Sequence, residues 1–269
     1  MLACTSGHCG KGGVVPLDHS CAATWLAHPI ERKTVSAKQH APEVNRLLAA
    51  LPRADRLRVL ADCTTVHLTF ADVLYIPGQR IRHVYFPTTG FISMIMPVDG
   101  SAALEVGLVG DEGMYGIPLL LGVDESSVRA VVQGAGLALR MDAAAFSRAL
   151  VYSPALQKKL KRYTNVCIHQ LAQTAACTRF HVVEARLARW LLMTQDRAHA
   201  DGFPITQEFL AYMLGVRRVG ITNAAGALQK DGLIRYSRGQ IAVLDRHALK
   251  AAACGCYKAD IESYARMSR

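Results

Sequence analysis

The pattern of apolar and polar positions changes period along this 269-residue chain, and each change marks a different class of element. Up to residue 42, Gly10, Gly12, Gly13, Pro16, Pro29 and Pro42 interrupt every apolar period, which predicts a weakly ordered extension over 1–42. Val44, Leu47, Leu48, Leu51, Leu57 and Leu60 then recur at helical spacing, broken near Pro52. From Val66 to Met141 apolar and polar residues alternate instead. Strands are expected at 66–70, 73–76, 81–86, 91–96 and 103–109, with turns at Pro77-Gly78, Thr89-Gly90, Asp99-Gly100 and 111–113. Short strands at this spacing predict an antiparallel barrel or sandwich, assigned to residues 43–154.

After Pro154 the helical period returns. Leu156, Leu160, Tyr163, Cys167, Gln170, Thr174 and Cys177 alternate by four and three, the spacing of a seam between two helices, while Lys158, Lys159, Lys161 and Arg162 lie opposite. The pattern predicts a homodimer joined through a helix over 155–185; a core helix of the same chain would show the same stripe.

Residues 186–250 read as a pair of short helices followed by a hairpin. Thr206 can cap a helix from Gln207, with Phe209, Leu210, Met213 and Leu214 inward, and Gly215 supplies the left-handed turn that ends it. The next helix turns Ile221, Ala224, Ala225 and Leu228 to the core. At 100° per residue its other face carries Val219, Thr222, Asn223 and Gly226, with Arg218 at the edge. That face is small, polar and basic, as a helix entering a DNA groove requires. A hairpin over 233–244, turning at Arg238-Gly239, makes the motif a winged helix-turn-helix; a purely structural helical hairpin is the competing reading. Residues 251–269 are expected to form a C-terminal tail.

The formal charge of +10 adds weight to a nucleic-acid partner only because of where it lies. Residues 1–63 carry a net +3, 64–155 a net −3 and 156–269 a net +10, so the excess sits with the helix-turn-helix. No apolar run reaches the ~18 residues a membrane helix needs. The start "MLACTSGHC" lacks the charged and apolar regions of a secretion signal, so the expected location is the cytoplasm, with no membrane partner.

This order of elements resembles the Crp/Fnr family of bacterial transcription regulators over roughly residues 43–250. The segments that carry the likeness are "HVYFPTTGFISMI", "GDEGMYGIPLLLG", "VEARLARWLL" and "TQEFLAYMLGVRRVGITNAAGALQKDGLI". The resemblance implies an α+β chain: an N-terminal antiparallel β-roll of the double-stranded β-helix or jelly-roll type, a long dimerisation helix and a C-terminal winged helix-turn-helix. It also implies a symmetrical dimer on double-stranded DNA, working with RNA polymerase. Arg218 matches a guanine-reading arginine; Val219 suits a thymine methyl, Asn223 suits adenine, and Thr222 completes the base-reading set. Thr206, Gln207, Arg217 and Arg238 would hold phosphates.

The same resemblance argues against cyclic AMP. Members that bind it carry Gly-Glu-x-Gly followed by an Arg-Ser or Arg-Thr pair. Here Gly113, Met114 and Gly116 keep the glycines without the acid, and an ungapped count puts Asp124 and Glu125 where the pair would be, so that carboxylates replace the phosphate clamp. The β-roll is then a scaffold with no predicted cofactor.

Eight cysteines keep a redox- or metal-responsive regulator open as an alternative. Cys4, Cys9 and Cys21, with Cys63, are loosely spaced for an iron-sulfur cluster. Cys177 and His181 stand one helical turn apart and could ligate zinc across a dimer seam, although packing cysteine and capping histidine explain the same spacing. Catalysis is not expected, because Cys167, His169 and Glu184 fall on one helix with no anion site beside them. A β-roll interaction module without specific DNA binding is the remaining alternative from a different class.

Overall fold

The computed structural model describes residues 44–98 and 103–268. The extension over 1–42, with Cys4, Cys9 and Cys21, and the Asp99-Gly100 turn lie outside the described residues. Two short helices, α1 (Arg46–Ala49) and α2 (Arg53–Ala61), precede the strands. The buried Asn45 caps α1 by accepting the Leu48 N–H, and its amide donates to the carbonyls of Pro87 at 2.9 Å and Gly113 at 2.8 Å. One side chain thus caps a helix and staples it to the sheet.

The strands are β1 (Thr64–Leu68), β2 (Val73–Tyr75), β3 (His83–Pro87), β4 (Phe91–Pro97) and β5 (Ala103–Val109); then, after helix α3 (Ile117–Leu120), β6 (Arg129–Gly134) and β7 (Gly136–Asp142). They form a three-stranded sheet ordered β1-β7-β3 and a four-stranded sheet ordered β2-β6-β4-β5, all pairs antiparallel. Leu68, Tyr75, Ile81, Ile92, Val109, Tyr115 and Val132 form one core cluster of this β-roll. The expected β-roll is present, with β6 and β7 beyond the five strands named from alternation.

Helix α4 (Ala143–Tyr152) leads into the long α5 (Pro154–Phe180), whose start is fixed by Pro154 in the first turn and by Ser153 accepting the Leu156 N–H at 3.1 Å. After a break at 181–182, α6 (Val183–Ala198) runs to β8 (Gly202–Pro204). There follow α7 (Gln207–Leu214), α8 (Arg218–Lys230), the hairpin β9 (Ile234–Ser237) and β10 (Gln240–Val243), α9 (Arg246–Ala252) and α10 (Cys256–Ser268).

Two expectations are corrected here. Residues 251–269 are not a tail: α10 packs along α5, with Met267 buried in its core and the Gln170 amide donating to the Tyr264 hydroxyl at 3.0 Å. Nor is the stripe on α5 an intermolecular seam. Leu156, Leu160 and Tyr163 are at most 1% exposed within one chain, packed with Phe86, Met114, Phe146 and Met267. Gln170 is buried, Cys167 half-buried against the same cluster, and Thr174 accepts a bond from Arg189. The chain's own β-roll and α10 cover the stripe, so a partner has no access to it.

Glu105 of β5 joins the β-roll to α6. Its carboxylate, buried at 8% exposure, accepts from Ser93 Oγ at 2.6 Å and from Trp190 Nε1 at 2.8 Å. Burial pushes its pKa up to about 7, and these two hydrogen bonds pull it back only in part. The folded state therefore binds a proton more tightly than the unfolded chain, whose carboxyl titrates near 4.5, so the stabilisation is complete below that value and is lost as pH rises through about 7. Glu105→Gln should flatten the melting temperature between about pH 5 and pH 8, with its advantage over the native protein growing toward alkaline pH. Parallel pH profiles for the two proteins, measured by thermal denaturation, would contradict this.

Candidate nucleic-acid interface

Local sequence builds the helix pair. Thr206 Oγ1 accepts the Phe209 N–H at 3.1 Å, and α7 stops at Gly215, whose φ of 60° is left-handed. The Val216 N–H closes back on the Ala211 carbonyl at 3.0 Å. Met213 and Leu214 are buried, and α7 rests on β5, where a Cβ at Gly215 would meet Leu104 at 3.3 Å. Helix α8 buries Ile221, Ala224, Ala225 and Leu228 and lies against α6 and α7. Its other face leaves Arg217, Arg218, Val219, Thr222, Asn223 and Gly226 exposed. Nothing stands within 4 Å of a Cβ built at Gly226, so packing does not require that glycine; it leaves the outer face of the helix flat.

The wing is pinned to the same end. Arg238 and Gly239 turn the hairpin at φ 49° and 72°, a two-residue reversal with both residues left-handed. The Ile205 N–H donates to the Gly239 carbonyl at 2.8 Å and the Tyr236 hydroxyl donates to the Ile205 carbonyl at 3.0 Å, placing the wing turn beside Thr206. Burial, then the nearby Glu208 carboxylate, pushes the Tyr236 hydroxyl up to about 12, so it remains a donor.

Two of the base-reading candidates are engaged within the chain. Arg218 Nη1 lies 2.7 Å from Glu208 Oε1, and Thr222 Oγ1 donates to Gln207 Oε1 at 2.8 Å. Both partners belong to the first turn of α7. Glu208 was not singled out from the sequence; an acidic residue just after a helix cap is the signal that marks it. The Arg218–Glu208 pair is largely exposed and therefore weak, so an anion can displace it.

The effector cassette is not arranged as expected. Met114 is buried in the core with Val84, Phe86, Leu160 and Tyr163. Gly113 faces the Tyr163 ring so closely that a Cβ would lie 2.1 Å from its phenolic oxygen. Asp124 pairs with Arg80 at 2.9 Å on the surface, and Glu125 is exposed, so neither carboxylate stands where Met114 is. The glycine turn is covered by α5, with the Tyr163 ring against Gly113.

Cys177 and His181 do meet metal-ligand company, but from the same chain. Cys254 and Cys256, at the α9–α10 joint, stand beside them. Burial pushes the thiols of Cys63 and Cys167 up to about 12, which favours their protonated form.

Comparison with known proteins agrees with this geometry. The profile of the Crp-like helix-turn-helix domain matches residues 185–252. No curated protein matches the chain. Among solved structures, a Crp/Fnr-family transcriptional regulator from Eubacterium rectale superposes with a TM-score of 0.62 at 17% identity, over 77% of this chain and 96% of its own. FixK2 from Bradyrhizobium japonicum gives 0.61 at 15% identity, over 71% and 98% of the two chains. The c-di-GMP responsive global regulator CLP from Xanthomonas campestris gives 0.61 at 17%, over 72% and 100%. At these identities the structural likeness establishes the fold, and the profile match establishes the character of the C-terminal domain. Residues 185–252 thus belong to the Crp-like helix-turn-helix domain family, and the described chain as a whole shares the fold of these regulators.

Proposed function

We propose that this chain is a transcriptional regulator of the Crp/Fnr type, acting in the cytoplasm as a homodimer on a two-fold symmetric DNA site, without a cyclic nucleotide, and there meeting RNA polymerase. The solvent face of α8 carries the reading. Arg218, Val219, Thr222 and Asn223 project from one side of a helix whose other side is core, flanked by Arg217 and by Arg238 of the wing. A guanidinium bonds guanine O6 and N7, an asparagine amide suits adenine, and Val219 packs on a thymine methyl. Thr206, Gln207, Arg217 and Arg238 stand around them as phosphate contacts.

The dimer requires a face of α5 other than the one expected. Ile168, Ala172, Ala175 and Arg179 alternate by four, three and four on the exposed side, with Leu171 beside them. Ile168 is 60% and Leu171 47% exposed in one chain. A second copy covering this stripe would set the two α8 helices about a two-fold axis, with half-sites one helical turn of DNA apart. Replacing Ile168 and Leu171 together by Asp should halve the sedimentation mass and leave the far-ultraviolet circular dichroism unchanged; an unaltered mass would refute this placement.

Arg218→Ala should weaken binding to the selected site by ~1–3 kcal/mol, roughly five- to 150-fold, and relax preference at one G·C pair. Arg238→Ala should weaken all sequences alike and reduce the slope of log affinity against log salt by about one. Fluorescence anisotropy on specific and random duplexes distinguishes the two. Equal losses on both duplexes for Arg218→Ala would make that residue a phosphate contact only.

With Tyr163 against Gly113 and no clamp at Asp124, titration calorimetry should detect no binding of cyclic AMP or cyclic GMP. Micromolar binding of either nucleotide would overturn the cyclic-nucleotide-independent reading.

A further inference from the structure

Four side chains that can ligate a metal converge where α5 ends. Cys177 sits in the last turn of α5 and His181 at its C-cap, one helical turn on, so both point to the same side. Cys254 and Cys256 flank Gly255 in the short joint between α9 and α10. The Sγ atoms of Cys177 and Cys254 are 3.5 Å apart, Cys256 Sγ is 3.5 Å from His181 Nδ1, and all four ligand atoms lie within 4.8 Å of one another. A tetrahedral zinc with bonds of about 2.3 Å to sulfur and about 2.0 Å to nitrogen separates its ligands by roughly 3.5–3.8 Å. The set is already close to that arrangement.

We propose that Cys177, His181, Cys254 and Cys256 bind one zinc ion and that this site latches the DNA-binding domain to the long helix. Three thiolates and one imidazole form a closed structural set, with no position left for water or substrate. A disulfide would use two sulfurs at about 2.05 Å and leave no role for the histidine or the third cysteine. An iron-sulfur cluster divides its ligands between irons and spreads them, whereas these four surround a single point.

The surroundings suit the charge. Zinc with three thiolates and a neutral imidazole carries a net negative charge, and the buried guanidinium groups of Arg189 and Arg186 stand near the Cys177 sulfur to balance it. Gln173, one turn before Cys177, donates its amide to Cys256 Sγ at 2.9 Å, an outer-shell bond of the kind that orients a thiolate ligand. Cys177, Cys254 and Cys256 are buried, while His181 lies at the exposed rim and offers an entry path.

The position gives the ion its consequence. Cys177 and His181 belong to the helix proposed to dimerise, and Cys254 and Cys256 follow directly on α9 after the wing. One ion would fix the recognition helix relative to the dimer axis. This latch rests on the DNA-binding reading above; the zinc site itself does not.

The test uses the untagged full-length protein, purified under reducing conditions without chelator. Plasma mass spectrometry should find one zinc per chain. Cobalt added to the reduced apoprotein should give the intense visible bands and near-ultraviolet thiolate charge transfer of tetrahedral sulfur ligation, a readout that needs no variant. His181→Ala with Cys256→Ser should bring the metal to background. Cys63→Ser, and Cys4→Ser, Cys9→Ser and Cys21→Ser combined, should keep it. Absence of tetrahedral cobalt binding, a Cys177–Cys254 disulfide in the native protein, or metal lost with the N-terminal cysteines instead would each overturn the site. Removing zinc should lower affinity for a palindromic duplex at least tenfold and restore it on readdition; equal affinity with and without zinc would overturn the latch. Zinc content is read without DNA, so failure of the DNA-binding reading leaves that measurement intact.

Discussion

Three buried arginines on α6 determine how the rest of the chain is assembled. Arg186, Arg189 and Arg197 are each less than 10% exposed, and a guanidinium out of water must find an acceptor or the fold fails. Each finds one on a different element. Arg186 donates to the Leu214 carbonyl at the end of α7, Arg189 to Asp260 of α10 at 2.7 Å, and Arg197 to Glu112 in the turn after β5 at 2.7 Å. Burial alone would raise the Glu112 carboxyl; Arg197, together with backbone N–H groups and Arg46, more than offsets it and holds the group below its ordinary value. The helix thus ties helix-turn-helix, C-terminal helix and β-roll to one rod. Breaking any of these pairs leaves a charge or carbonyl buried without its partner, which is why the arrangement is specific as well as stable.

That rod explains what sequence could and could not disclose. The two faces of α8 follow from local spacing: Ile221, Ala224, Ala225 and Leu228 are inside and Arg218, Thr222 and Asn223 outside, as 100° per residue requires. The caps at Thr206 and Gly215 and the turn at Arg238-Gly239 are equally local, and five of the seven strands of the β-roll showed in the alternation. The stripe on α5 is different. A four-three period says that a helix face is covered; it does not say by what. Here the cover comes from the β-roll and from α10, a helix with its own stripe at Tyr257, Asp260, Ser263 and Met267, all buried. The polar members Asp260 and Ser263 disguised that stripe, because only the buried Arg189 makes Asp260 an interior residue. The cysteine cluster was hidden by distance for a similar reason: Cys177 and His181 are adjacent on a helix, while their companions lie more than seventy residues later and meet them only once α10 folds back.

The closed cassette has a structural cause of the same kind. Gly113 has no Cβ because Tyr163 of α5 occupies that space, and Met114 fills the core below it. A ligand seated between the glycine turn and the helix beside it would need a gap there. In this chain that gap is taken by side chains of the protein. Asn45 holds the Gly113 carbonyl at 2.8 Å and Glu112 is tied to Arg197, so the turn is fixed on both sides of the glycine. A ligand entering there would have to displace an aromatic ring, a buried hydrogen bond and an ion pair together.

If the exposed face of α8 reads DNA as proposed, binding would require an exchange of partners. Arg218 is held by Glu208 and Thr222 by Gln207, so the reading groups are already extended from α8 and fixed in direction before DNA arrives. An exposed ion pair contributes little, about 0–1 kcal/mol, whereas a guanidinium paired in both bonds to the right base gains ~1–3 kcal/mol of discrimination. The correct base can therefore outcompete Glu208. A wrong base cannot do so with the same margin, because it offers one acceptor or none while the carboxylate remains beside the arginine. On the proposed reading Glu208 costs every base alike, discrimination comes from the base contact itself, and the weakness of the Arg218–Glu208 pair is what keeps it from blocking binding.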